Sequence, residues 1–178
     1  MSARRPAPET YLFKDDGSIP NNPDLPLLIY RNGISLAGTP DAETRVSDVL
    51  KDNGWVGIWR NGIYPYVHYH SRIHEALVIA RGRARVRFGG EKGEELDVAP
   101  GDVIVLPAGT GHQCLWESPD LSVIGAYPPS GKYDLCRGSK FEREQALASI
   151  PQVPLPETDP VTGGDGPLTQ LWRAKSAR

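Results

Sequence analysis

Between Trp55 and Tyr127 the chain is cut into eight short β-rich runs, and no other feature restricts its fold as much. The runs are 55–60, 63–70, 75–80, 83–88, 95–98, 103–106, 112–116 and 121–127. Their separators are turn chemistry: Asn61-Gly62, Arg81-Gly82, Gly89-Gly90, Pro100-Gly101, Ala108-Gly109 and Pro119-Asp120. Asn-Gly between two β-rich runs predicts a hairpin, because both residues tolerate the positive φ of a type I′ turn. Eight short strands at this spacing predict an antiparallel sandwich, jelly roll or barrel. The spacing has no fixed period, which argues against a propeller or solenoid.

The flanks read differently. Residues 1–26 are polar and proline-punctuated, and 27–31 form a short apolar run that suits a first strand. Thr39 suits a helix N-cap, Pro40 the first helical position, and Asp41 and Glu43 complement the dipole. Val46, Val49 and Leu50 then share one face, and Gly54 can close the helix. A second helix is predicted over 141–150, ended by Pro151. Residues 151–167 read as an extended surface segment, with Leu168, Leu171 and Trp172 as an apolar anchor for the tail. The expected division is an N-terminal extension with one helix (1–54), a β-barrel core (55–128) and a C-terminal helix and tail (129–178).

Composition removes several function classes. A chain of 178 residues can bury one sound core without staples. The balance of 20 Lys+Arg against 22 Asp+Glu lacks the basic excess of nucleic-acid or anionic-membrane binders, so neither partner is expected. Two cysteines, Cys114 and Cys136, make no disulfide framework and suit a reducing compartment. No apolar run approaches the ~18 residues of a membrane span. Arg4-Arg5 is followed by polar sequence, not by the apolar core of a secretory signal. The expectation is a cytoplasmic protein.

Three of the four histidines, His68, His70 and His74, lie within seven residues; the fourth is His112. On a strand, His68 and His70 point to one face. Two neutral imidazoles on one face are half of a divalent metal site. Glu75 can add a carboxylate and His112 a third imidazole. The same alternation carries Tyr66 inward with His68, and Cys114 and Trp116 inward with His112.

Gly62, five residues, His68-x-His70, four residues, Glu75, six residues and Gly82 resemble the first motif of the cupin superfamily at each fixed position. Gly101, five residues, Pro107-x-Gly109, two residues and His112 resemble its second motif; Trp116 stands where that motif often has Asn. The stretches 13–31, 59–71, 133–139 and 153–160 further resemble the YjlB-like group of bacterial single-domain cupins. The resemblance implies an all-β fold, the cupin double-stranded β-helix (jelly roll), with a few peripheral helices. It implies His68, His70, Glu75 and His112 as ligands to one divalent ion.

Other residues carry weaker expectations. With Glu75 inward, His74 faces outward as a partly exposed or interface residue. His74-Glu75 does not begin an HExxH zinc site, since Val78 stands at the later position. Cys114 reads as a small buried filler that could also tune the metal. Trp116 reads as pocket wall or core. Arg81, Arg83, Arg85 and Arg87 form an outward stripe that pairs with acids such as Glu91, Glu94 and Glu95.

Three imidazoles and one carboxylate leave a divalent ion one uncompensated charge, and suit Fe, Mn, Ni or Zn. Four protein ligands leave two positions of a six-coordinate ion open to a small-molecule ligand. The expected function is therefore a metal-dependent enzyme, dioxygenase-like or an isomerase, on a small polar or anionic substrate. The alternative is a non-catalytic binding or sensing module. Tyr66 is the candidate catalytic residue: one side-chain repeat from His68, ~6–7 Å along a strand, its hydroxyl would reach a bound ligand. The other reading of Tyr66 is a core tyrosine. A homodimer is expected, from family habit and from the aromatic residues Trp55, Trp59 and Trp172.

Overall fold

The computed structural model describes residues 7–177; the Arg4-Arg5 pair lies outside them. Nine strands and three α-helices are formed among these residues. The strands are β1 (Glu9–Tyr11), β2 (Leu27–Tyr30), β3 (Val56–Asn61), β4 (Glu75–Arg81), β5 (Ala84–Phe88), β6 (Glu94–Val98), β7 (Val103–Leu106), β8 (His112–Glu117) and β9 (Ser122–Tyr127). The helices are α1 (Ala42–Asp52), α2 (Lys140–Ser149) and α3 (Pro167–Ser176). One sheet has the order β1-β2-β7-β4-β9-β3, the other β6-β5-β8, and every pairing is antiparallel. This is the two-sheet jelly roll expected of the cupin motifs.

The large sheet is apolar on both faces, and the period of two sorts its side chains. Leu27, Ile29, Leu77, Ile79, Ile104, Leu106 and Val123 point into the barrel, against Val86, Phe88 and Cys114 of the small sheet. The alternate residues Leu28, Tyr30, Ala76, Val78, Val103, Val105, Ile124 and Ala126 point outward. There α1 covers them with Val46 and Leu50, and α3 with Leu168 and Trp172. This double burial explains why β2, β4 and β7 read as unbroken apolar runs. It also draws the flanking segments into the fold: β1 and β2 extend the large sheet.

Several local expectations are corrected. The N-cap of α1 is Asp41, two residues past Thr39. Its carboxylate accepts from the Thr44 amide at 3.0 Å and the Thr44 hydroxyl at 2.8 Å. A charged cap complements the helix dipole better than a hydroxyl does. Helix α2 matches its prediction closely, with Ser139 and Glu142 forming a reciprocal capping box. The tail forms α3, starting at Pro167; Thr169 Oγ1 accepts from the Gly166 amide at 2.9 Å.

Asn61-Gly62 does not turn a hairpin. β3 pairs with β9, and 63–70 makes only single bridges, His68 with His112 and Tyr69 with Cys136. Pro65 removes a donor from this stretch, which works against a continuous ladder. Trp116 is 58% exposed, not inward. β8 pairs Cys114 with Val86 but Trp116 with Arg85, and the extra residue at this bulge reverses the facing. His74 is 1% exposed, not a surface residue. It leaves the 63–70 stretch at a bend and packs against Trp172, ring centroids 4.8 Å apart. Within the arginine stripe, Arg87 pairs with Glu95 at 2.6 Å as expected, Arg85 pairs with Asp97 at 2.8 Å, and Arg81 reaches Glu43 at 3.1 Å.

Trp55 and Trp172 are fully buried within the chain, so they offer no surface to a second copy. Trp172 also donates its indole N–H to the Pro26 carbonyl at 2.9 Å. Trp172→Ala removes a fully buried indole and one hydrogen bond. It should lower stability by about 3–5 kcal/mol in urea unfolding. A loss below ~1 kcal/mol would show that α3 is not part of the cooperative fold.

Candidate metal centre

Backbone geometry brings the two motifs together first. His68 N donates to His112 O at 3.1 Å, and His112 N returns a bond to His68 O at 2.9 Å. Gly109 N donates to His70 O at 2.7 Å. This stitching places three imidazoles side by side although no regular strand carries His68 and His70. Glu75 opens β4 on the same inward face as Leu77 and Ile79.

His68, His70 and His112 are all buried, and their ligand nitrogens lie within 4.8 Å of one another. Glu75 Oε2 lies 3.1 Å from His70 Nε2 and 3.4 Å from His112 Nε2. Each imidazole is pinned from behind. Nδ1 of His68 faces the Tyr66 carbonyl at 3.0 Å, and Nδ1 of His112 faces the Thr110 carbonyl at 3.1 Å. Nδ1 of His70 faces the Asp134 carbonyl. A carbonyl oxygen can only accept, so each Nδ1 must carry the proton. Each Nε2 then presents a lone pair to the centre, beside the lone pairs of Glu75.

Four electron-pair donors facing one another are unsatisfied unless a cation joins them. Glu75 Oε2 is indeed buried without a hydrogen-bond partner. A proton can supply part of what is missing. Burial opposes charge on His70, but the Glu75 carboxylate more than offsets it and holds His70 above the ordinary histidine range. Burial likewise opposes charge on Glu75, and the neighbouring imidazoles hold its carboxyl well below the usual range. His68 is pushed down to about 3, by burial and then by His112. The donor set, three imidazole nitrogens and one carboxylate oxygen, fits a divalent first-row ion that displaces the His70 proton.

The fourth histidine is wired the opposite way. His74 Nδ1 accepts from the Ala108 amide at 2.9 Å, so its proton sits on Nε2, away from the centre. Burial keeps the ring neutral.

The four residues line a cavity of about 290 Å³. Its walls include Trp59, Tyr64, Tyr127 and Tyr133, together with the apolar Ile63 and Leu77 and the cationic Arg60. Tyr66 does not line it. The Tyr66 ring stacks on Tyr64 at 4.8 Å, and the Arg137 guanidinium sits 3.8 Å from its centroid. Tyr127 was open to discovery from the sequence. Val123 faces the barrel, and alternation carries Gly125 and Tyr127 with it. Tyr133 belongs to an irregular loop, where no periodic signal exists. Cys114 is buried beside Val86 and Phe88 and is not in the cavity wall.

Asp134 anchors that loop. Its carboxylate accepts from Ser71 N at 2.9 Å, Ser71 Oγ at 2.5 Å and Arg72 N at 3.1 Å. Asp134→Ala should cost about 2–4 kcal/mol in urea unfolding, since three donors to a charged acceptor are lost. It should also speed amide exchange at Ser71 and Arg72. Unchanged exchange at both amides would show that the loop is held by other contacts.

The cupin domain family model matches residues 54–124. A Bacillus subtilis (strain 168) protein named "Uncharacterized protein YjlB" is 43% identical over 164 residues, 92% of this chain and 96% of that protein. Among solved structures, a Bacillus anthracis acireductone dioxygenase with cadmium in its active center aligns with 59% of this chain and 80% of its own, at 15% identity and TM-score 0.42. A duf861 family protein of Thermotoga maritima aligns with 49% of this chain and 89% of its own, at 22% identity and TM-score 0.31.

Proposed function

This chain belongs to the cupin family, alongside YjlB, and we propose that His68, His70, Glu75 and His112 hold one divalent ion, Fe, Mn, Ni or Zn, in a site open to a small polar or anionic ligand. The observation that carries this reading is the convergence of three Nε2 lone pairs and an unpartnered Glu75 oxygen in one buried space. Protein ligands whose second nitrogen is fixed by a carbonyl are the usual partners of a bound ion. Four of them do not close a six-coordinate shell.

A bound ion would supply Lewis acidity, or electrons to an oxidant if it is redox-active. The chain's own residues define the rest. The aromatic walls exclude water and so strengthen every charge interaction inside. Arg60 adds positive charge at the cavity, although Glu43 partly neutralises it at 3.0 Å. The ion's surplus charge and Arg60 together favour an anionic ligand. The reading is an enzyme of dioxygenase-like or isomerase type. A binding or sensing module is the second reading, and one observation favours it. Glu75 is the sole carboxylate lining the cavity among the described residues, so proton transfer would fall to tyrosine. Oxygen consumption or turnover with small carboxylic acids separates the two.

Purified without chelator or affinity tag, the protein should hold one divalent ion per chain by elemental analysis. His112→Ala should lose most of it. The thermal midpoint should fall with it, because an ion at ~100 times its Kd stabilises the native state by about 2.7 kcal/mol. His74→Ala should retain its ion although it unfolds more easily. Full occupancy in His112→Ala, or loss of the ion in His74→Ala, contradicts the assignment.

A further inference from the structure

Trp59 and Tyr127 face each other across the β3–β9 pair, and the backbone is shaped to seat them. Trp59 stands opposite Gly125 in the ladder. A Cβ on Gly125 would lie 2.0 Å from the Trp59 ring, so only glycine admits the indole there. β3 is irregular between Val56 and Trp59, and Gly57 within it has φ +65°. A Cβ on Gly57 would come within 2.9 Å of the Tyr127 ring. An interrupted strand and two glycines cost stability in a sheet. They are spent on one aromatic pair at the cavity wall.

The pair has a defined polarity. Trp59 Nε1 donates to the Tyr127 hydroxyl at 2.9 Å. An indole N–H can only donate, so the hydroxyl oxygen accepts and its proton turns away from Trp59. Tyr127 lines the same cavity as the three imidazoles, with its ring edge-on to His70, centroids 6.3 Å apart. From the cavity, the Glu75 carboxylate acts on the hydroxyl through its charge and as a hydrogen-bond acceptor, and the Tyr133 hydroxyl acts on it more weakly. The Tyr127 proton therefore points into the cavity, toward Glu75, on the side where a ligand of the proposed ion would sit.

We propose that Tyr127, oriented by Trp59, donates a hydrogen bond to an oxygen of a small carboxylate bound at this site, and so determines which ligands the cavity accepts. The inference rests on the metal reading above and adds to it the ligand class and the residue that selects it. Trp59 is a positioning residue for the Tyr127 hydroxyl, and its ring is also part of the cavity wall. A ligand with an oxygen acceptor beside its metal-binding atoms gains the Tyr127 hydrogen bond in competition with Glu75, whereas a ligand without one does not gain it and is held less tightly. The aromatic neighbours Tyr64 and Tyr133 suit a planar carboxylate.

The test uses the full chain loaded with Co(II), whose visible spectrum reports ligand binding. Oxalate and pyruvate are titrated into wild type, Tyr127→Phe and Trp59→Phe. Tyr127→Phe should keep the wild-type cobalt content and raise the Kd of both anions by about fivefold or more. Trp59→Phe, which leaves the hydroxyl in place but unoriented, should raise them by a smaller factor. Azide, a probe without a carboxylate, should bind both variants as it binds wild type. If Tyr127→Phe does not fold, the Trp59→Phe comparison with azide carries the same test. Equal carboxylate affinities in wild type and the variants overturn the inference while leaving the metal site standing. So does a wild-type cobalt spectrum that neither carboxylate changes. A wild-type chain that takes up no cobalt overturns the metal reading itself.

Discussion

The mutual backbone bond between His68 and His112 is the constraint on which the site depends. Two residues 44 positions apart exchange N–H···O=C bonds at 3.1 and 2.9 Å, and their rings are brought to 4.0 Å between centroids. Three carbonyls then lock the imidazole protons outward. The consequence is electrostatic: four lone-pair donors, three nitrogens and a carboxylate oxygen, share a buried space. In water such an arrangement would cost little. Here it needs a cation, because a buried donor set without one leaves its polar atoms unsatisfied.

The rest of the fold serves to fix and bury these side chains. Burial of the large sheet on both faces fixes the register of β4 and hence the inward phase of Glu75. A slip of one residue would move Glu75 outside and Ala76 in. Helix α3 covers the outer face through Trp172, which packs on His74. That contact explains why a histidine one residue from Glu75 is kept out of the centre. The Ala108 amide occupies its Nδ1, and the Trp172 indole takes its face.

Much of this was legible in the sequence. The fold class followed from short β-rich runs and turn pairs, and the spacing of His68, His70, Glu75 and His112 marked the residues that meet. Alternation worked where strands are regular and failed where they are not. It put Trp116 inside because a bulge at residue 115 leaves no sequence signal. It put His74 at the surface because the chain bends between His70 and β4. It drew a strand through 63–70 and so favoured Tyr66. Among the described residues, the tyrosines that line the cavity are Tyr64, Tyr127 and Tyr133. Helix α3 was missed for another reason: its stability comes from docking Leu168 and Trp172, and ten residues carry little helical propensity of their own.

The central claim is that His68, His70 and His112 share one tautomer and offer Nε2 to a cation, while His74 does not. Long-range proton–nitrogen NMR of the imidazoles, before and after one equivalent of Zn(II), measures this directly. The account predicts that the Nε2 resonances of the three move together and saturate at one ion per chain, with His74 unchanged. Movement of His74, or of fewer than three of the others, would contradict it.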